Sequence, residues 1–84
     1  MDWELYAYAT RTKQRRKILK MLAEPHSPTA IGKATDIRPS QVSRTLTEFV
    51  RQGVAKCQNP KKRVGKMYVA TSTGLEILKS LKKE

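Results

Sequence analysis

Apolar residues recur every three to four positions along most of the chain, with one interruption where they alternate. The opening stretch MDWELYAYA sets Leu5, Tyr8 and Ala9 at helical spacing and clusters Trp3, Tyr6 and Tyr8. That pattern predicts a short aromatic helix or packing arm over residues 1–10. From Thr12 to Ala23 a second helix is expected, with Ile18, Leu19 and Leu22 as its apolar stripe and Arg15, Arg16, Lys17 and Lys20 on the remaining, solvated faces. The Thr12 hydroxyl can cap its start, and Glu24-Pro25 ends it. Ser27-Pro28 is another start signal, because the missing proline N–H costs nothing at the first helical position. The short helix that follows, Pro28 to about Thr35, directs Ala30, Ile31 and Ala34 inward, and Gly32 permits a close helix approach. Asp36 then falls at a tight turn, and Asp is among the few side chains that tolerate the left-handed conformation.

Residues 39–53 read PSQVSRTLTEFVRQG. Pro39 at a helix start and Gly53 just past a helix end bracket about 14 residues. Steps of about 100° place Val42, Leu46, Phe49 and Val50 on one side, expected to be core. The opposite side carries Ser40, Gln41, Arg44, Thr47 and Arg51, with Ser43 on its flank. No acidic residue appears there before Glu48, so the first half of this helix offers hydroxyl, amide and guanidinium groups suited to base edges and phosphates. Arg38 supplies no side-chain cap, which leaves the first N–H groups open to an anion.

After Gly53 the period changes. VAKC and KMYVA read as short strands separated by QNPKKRVG, in which Asn59-Pro60 starts a turn and Gly65 closes it. The hairpin tip gathers Lys61, Lys62 and Arg63, with Lys66 just behind. From Thr71 the helical period resumes, with Leu75, Leu78 and Leu81 at i, i+3, i+6 and Ile77 beside them. The expected class is α+β, mainly α: one domain over 1–84, with a helix-turn-helix at 28–53, a β wing at 54–70 and a C-terminal helix at 71–84.

Composition narrows the function. The chain has 84 residues, 18 Lys and Arg against 7 Asp and Glu, and a formal charge of +11, so polyanions, nucleic acid first among them, are the expected partners. No apolar run approaches the roughly 20 residues of a spanning helix and no signal-peptide core opens the chain, so a soluble, cytoplasmic protein off the membrane is expected. A lone Cys57 and a lone His26 have no zinc-site spacing, and no cofactor is expected. The acids are scattered, the histidine has no relay partners in view, and no glycine loop could cradle a phosphate, so no enzyme is expected.

The stretches RRKILKML, SPTAIGKATDI, SQVSRTLTEFVRQGVAKCQNP and GKMYVATSTGLEIL together resemble the winged helix-turn-helix transcriptional regulators of archaea and bacteria, related to the multiple-antibiotic-resistance and arsenic-resistance repressor families. The likeness is greatest to small archaeal stand-alone members. Two positions depart from the pattern: Asp36 stands for the usual turn glycine, and Ala70 for the usual leucine before Thr71. The resemblance implies that Ser40, Gln41, Ser43, Arg44 and Thr47 enter the major groove of double-stranded DNA. It implies that Lys61, Lys62, Arg63 and Lys66 contact the backbone or minor groove from the wing, while Thr29, Lys33 and Arg38 position the motif on the backbone. An Arg bridging guanine or a Gln pairing with adenine is worth about 1–3 kcal/mol of discrimination. A homodimer through the aromatic arm and the C-terminal helix is also implied. RNA binding, or protein interaction within the transcription machinery, is the alternative. A-form duplexes, whose major groove is too deep and narrow to read, separate the RNA reading from the DNA one.

Overall fold

The computed structural model describes residues 1–82. Four helices, α1 (Trp3–Thr10), α2 (Lys13–Met21), α3 (Pro28–Thr35) and α4 (Pro39–Arg51), precede the antiparallel pair β1 (Ala55–Cys57) and β2 (Tyr68–Ala70), and α5 (Ser72–Lys82) follows. Local chemistry starts each helix where the sequence marks it. The side chains of Asp2, Thr12 and Ser27 accept the backbone N–H of Leu5, Arg15 and Ala30, each at 3.1 Å. Thr71 does the same for Gly74 at 3.2 Å. Asp36 adopts the left-handed conformation with φ 58°, and Gly53 ends α4 at φ 80°. The expected second helix is two residues shorter, because Leu22 and Ala23 bond back to Leu19 and Lys20 and turn the chain toward the hairpin. The C-terminal helix runs to Lys82, and residues 83 and 84 of the expected span lie outside the described residues.

The core lies between α2, α3, α4 and α5, where Ile18, Leu22, Ile31, Leu46, Phe49 and Ile77 are fully buried. One expected core position of α4 is corrected. Val50 is 41% exposed, and Thr45 is buried instead. The buried arc of α4 centres between Val42 and Phe49, and at about 100° per residue Thr45 falls nearer that centre than Val50. Ala34 is likewise exposed, since the short α3 meets its neighbours mainly through Ile31. Gly32 does permit a close approach: a Cβ there would sit 3.2 Å from the Ile37 carbonyl oxygen.

The solvated faces expected for Arg15 and Arg16 are corrected as well. Arg15 stacks 4.4 Å over the Tyr8 ring and donates to the Tyr8 carbonyl at 2.9 Å, while Arg16 donates to that of Thr10 at 2.7 Å. Together they fasten α1 to α2. Tyr8 also meets Phe49 edge-on, so this part of the aromatic arm packs on its own chain. Trp3, in edge contact with Tyr6, remains 66% exposed.

The strands are shorter than the runs VAKC and KMYVA suggest, with Ala55 opposite Ala70, Lys56 opposite Val69 and Cys57 opposite Tyr68. His26 exchanges both backbone hydrogen bonds with Tyr68, at 3.0 and 2.9 Å, and so borders the far edge of β2. Its Nδ1 lies 2.7 Å from the Met21 carbonyl oxygen. Ala70 N–H donates to the Leu22 carbonyl at 2.8 Å, and Thr71 bonds to Val54 and Gly53. The base of the wing is therefore tied to α2 on one side and to the end of α4 on the other.

Candidate nucleic-acid interface

Ser40, Gln41, Ser43, Arg44 and Thr47 are all exposed on α4. Proline at the first helical position and an extended Arg38 (φ −57°, ψ 139°) start the helix without a side-chain cap, as expected. The Thr47 hydroxyl donates to the Ser43 carbonyl at 2.9 Å, so its proton is used within the helix and its oxygen faces outward only as an acceptor. Arg38, Thr29 and Lys33 are exposed beside it.

Three grooves take in Gln41, Ser43, Arg44, Thr29 and Lys33, while Ser40, Thr47 and Arg38 line none of them. One of about 580 Å³ lies between the helix-turn-helix and the wing and is lined by Thr29, Ser43, Arg63, Val64 and Lys66 among others. Residues from three separate stretches of sequence thus share one concavity. A second groove, about 290 Å³, lies between α4 and the start of α2, with Gln41 and Arg44 facing Thr12, Gln14 and Arg15. A third of about 330 Å³ joins Thr29 and Lys33 to Ile37 and Pro39. Lys61 and Lys62 line none of these and stand exposed on the outer part of the wing. Gln14, Thr12 and Val64 were not anticipated at this surface. Val64, an apolar residue inside the basic run and 86% exposed, carried a visible signal. Gln14 and Thr12 carried none, because only packing brings the start of α2 beside α4.

The wing's shape depends on Asn59. Its side-chain oxygen accepts Met67 N–H at 2.8 Å, its amide donates to the Gly65 carbonyl at 3.1 Å, and its own carbonyl accepts Lys62 N–H at 3.1 Å. Gly65 takes φ 77°, a conformation that favours glycine. Acidic groups are few at this surface. Glu48, at the edge of the second groove, accepts the Tyr8 hydroxyl at 3.0 Å and lies 3.7 Å from Arg15. Burial, that hydrogen bond and the Glu48 charge, in this order, raise the Tyr8 pKa above the ordinary tyrosine value. Asp36 borders the third groove. Among the described residues no three His, Cys, Asp or Glu side chains gather in a metal-binding group, and no helix is long and apolar enough to cross a membrane.

No family model and no curated protein matches the chain. Solved structures do. A MarR family transcriptional regulator from Silicibacter pomeroyi superposes with a TM-score of 0.77 at 18% identity, over 95% of this chain and 54% of its own. The homodimeric winged helix-turn-helix DNA-binding domain of Mb0332 from Mycobacterium bovis, a possible ArsR-family transcriptional regulator, gives 0.74 at 20% identity, over 96% and 74%. A mutant of the type III plasmid segregation protein TubR gives 0.76 at 19% identity, over 95% and 88%. The fold is thus that of the winged helix-turn-helix proteins, with α3 and α4 as the motif and the β1–β2 hairpin as the wing. The chain spans about half the length of some of the proteins it matches.

Proposed function

We propose that this chain is a sequence-specific, double-stranded DNA-binding transcriptional regulator of the cytoplasm, acting as a homodimer and requiring no cofactor. The groove that unites Ser43 of α4 with Thr29, Arg63 and Lys66 carries this reading. It sets a concavity with Arg63 and Lys66 in its lining, suited to phosphate, beside a helix face that has no acid before Glu48, on a chain of charge +11. In this reading Ser40, Gln41, Ser43, Arg44 and Thr47 enter the major groove, with Thr47 acting through its oxygen and methyl. Lys61, Lys62, Arg63 and Lys66 follow the backbone or minor groove, and Thr29, Lys33 and Arg38 hold the motif in register. The names of the MarR- and ArsR-type matches support regulation, and the homodimeric Mb0332 domain supports pairing. Pairing through α1 and α5 sets two recognition helices about 10 bp or a multiple apart, on inverted repeats. The resemblance to small archaeal members belongs to the same reading.

Selection of bound fragments from a random duplex pool, with A-form duplex RNA as competitor, is the test. Enrichment of an inverted repeat that duplex RNA fails to displace is the expected result. Equal binding of RNA and DNA would favour the RNA reading, and failure to enrich any sequence would remove the regulator. The TubR likeness favours a second reading, in which the bound DNA serves plasmid segregation. Bound sites confined to one plasmid locus, and absent upstream of genes elsewhere, would support it.

A further inference from the structure

A groove of about 380 Å³ runs between α2 and α5, on a surface with no part in the DNA contacts above. Its floor is apolar, formed by Ala23, Leu75 and Leu78, and its rim is cationic, formed by Lys20, Lys79 and Lys82. Leu75 is 41% exposed there. Glu24 and Glu76 are chain neighbours of floor residues, yet neither lines the groove. Two copies pressed together groove to groove would set three lysines against the same three lysines, a like-charge arrangement that disfavours that isologous contact. The fitting occupant is an apolar group flanked by acids.

The chain carries such a group. Trp3 is 66% exposed and lies between Asp2 and Glu4, in a protein with seven acidic residues in all. Helix α1 packs against both α2 and α5, the two walls of the groove, yet leaves Trp3 outside its own groove. The geometry points to a reciprocal contact between two copies, in which Trp3 of each protomer enters the α2–α5 groove of the other and Asp2 and Glu4 face the lysine rim. Because α1 is packed on the same two helices that wall the groove, the proposal places both exchanges about a single two-fold axis. The volume falls within the range of roughly 300–1,000 Å³ that receives small organic ligands, so an indole fits. This inference rests on the homodimer proposed above and specifies its contact.

Trp3 is the only tryptophan, so its emission reports directly on the groove. The full chain is studied by sedimentation equilibrium and tryptophan fluorescence across a concentration series, with circular dichroism confirming that each variant is folded. The emission of the unaltered protein should shift to the blue in step with dimer formation. Trp3→Ala, Glu4→Lys and Lys79→Glu should each weaken the dimer about tenfold or more. Mixing Glu4→Lys with Lys79→Glu should restore it, because in the heterodimer both contacts again pair opposite charges. A dimer whose Trp3 stays exposed, or whose strength none of these substitutions alters, would overturn the contact while leaving the homodimer intact. The groove would then be open to an acidic segment of another protein. A chain that stays monomeric at every concentration and on DNA would overturn the homodimer itself, and the contact with it.

Discussion

Replacing Gly74 with alanine sets two effects of opposite sign against each other. Gly74 lies within α5, and in an open helix interior alanine is favoured over glycine by about 1 kcal/mol. At this site a Cβ would overlap the Val54 carbonyl oxygen and come within 3.0 Å of the Ala70 Cβ. Neither obstacle is free to retreat. The Val54 carbonyl accepts Thr71 N–H at 3.1 Å, and Ala70 N–H is held by the Leu22 carbonyl at 2.8 Å. Overpacking costs about 1–3 kcal/mol, and an immobile backbone obstacle puts this case at the upper end. Subtracting the helix gain leaves a net loss of about 2 kcal/mol. For a chain of this length that lowers Tm by roughly 8–16 °C. Thermal and urea unfolding followed by circular dichroism measure it directly. Gly53→Ala is the control: nothing lies within 4 Å of its Cβ position, so only the φ of 80° opposes the side chain, at about 1–2 kcal/mol. Because Val54 leads into the wing, Gly74→Ala should also weaken DNA binding at temperatures where the protein is still folded. A Gly74→Ala protein as stable as the unaltered chain would show that α5 can move off the wing, and would refute the reasoning.

Arg44→Ala should cost about 1–3 kcal/mol on the preferred DNA and relax preference at one position of each half-site, whereas Lys62→Ala should weaken preferred and random DNA alike and lower the salt slope by about one per wing. Binding anisotropy at several salt concentrations separates them, and equal loss on both DNAs for Arg44→Ala would make that arginine a phosphate clamp. Asn59→Ala removes two hydrogen bonds that shape the wing, about 1 kcal/mol each, and should speed hydrogen exchange at the Met67 amide and reduce DNA affinity, with a fall in Tm no larger than that of Gly74→Ala. Unchanged exchange at Met67 would assign the wing's shape to something else. The raised Tyr8 pKa predicts stability that is fully present below about pH 10, where unfolded tyrosine titrates, and is lost as pH rises through the folded value. Tyr8→Phe should flatten that alkaline decline in urea unfolding, and an unaltered pH profile would count against the Tyr8–Glu48 bond.

Helices α2, α3 and α4 were legible in the sequence because each is started or stopped by a local device that acts over three or four residues. The Thr12 and Ser27 caps, Pro39 at the start of α4, Gly53 after its end and Asp36 in the left-handed turn all operate between chain neighbours. The outward face of α4 was legible for the same reason, since helical geometry fixes which of its own residues lie together. The limits of that geometry show at Val50 and Thr45: a wheel gives directions, but how far the buried arc extends depends on what packs against it. Strand lengths in the wing were overread, because pairing ends where the partner strand departs rather than where β-forming residues stop.

The relations between distant segments were not legible. Nothing in the order of residues says that Arg15 will stack on Tyr8 and approach Glu48, or that His26 will pair with Tyr68. The same holds for the grooves. Ser43 was expected only on the flank of the outward face, and the groove it forms with Thr29, Arg63 and Lys66 exists because α3, α4 and the hairpin converge. The lysine-rimmed groove between α2 and α5, and the exposure of Trp3 while Tyr8 packs inward, are of this second kind. Caps and helical periods are set by the backbone within a turn or two of chain. Concavities and unpaired charges belong to surfaces assembled from segments tens of residues apart, and only tertiary packing brings those together.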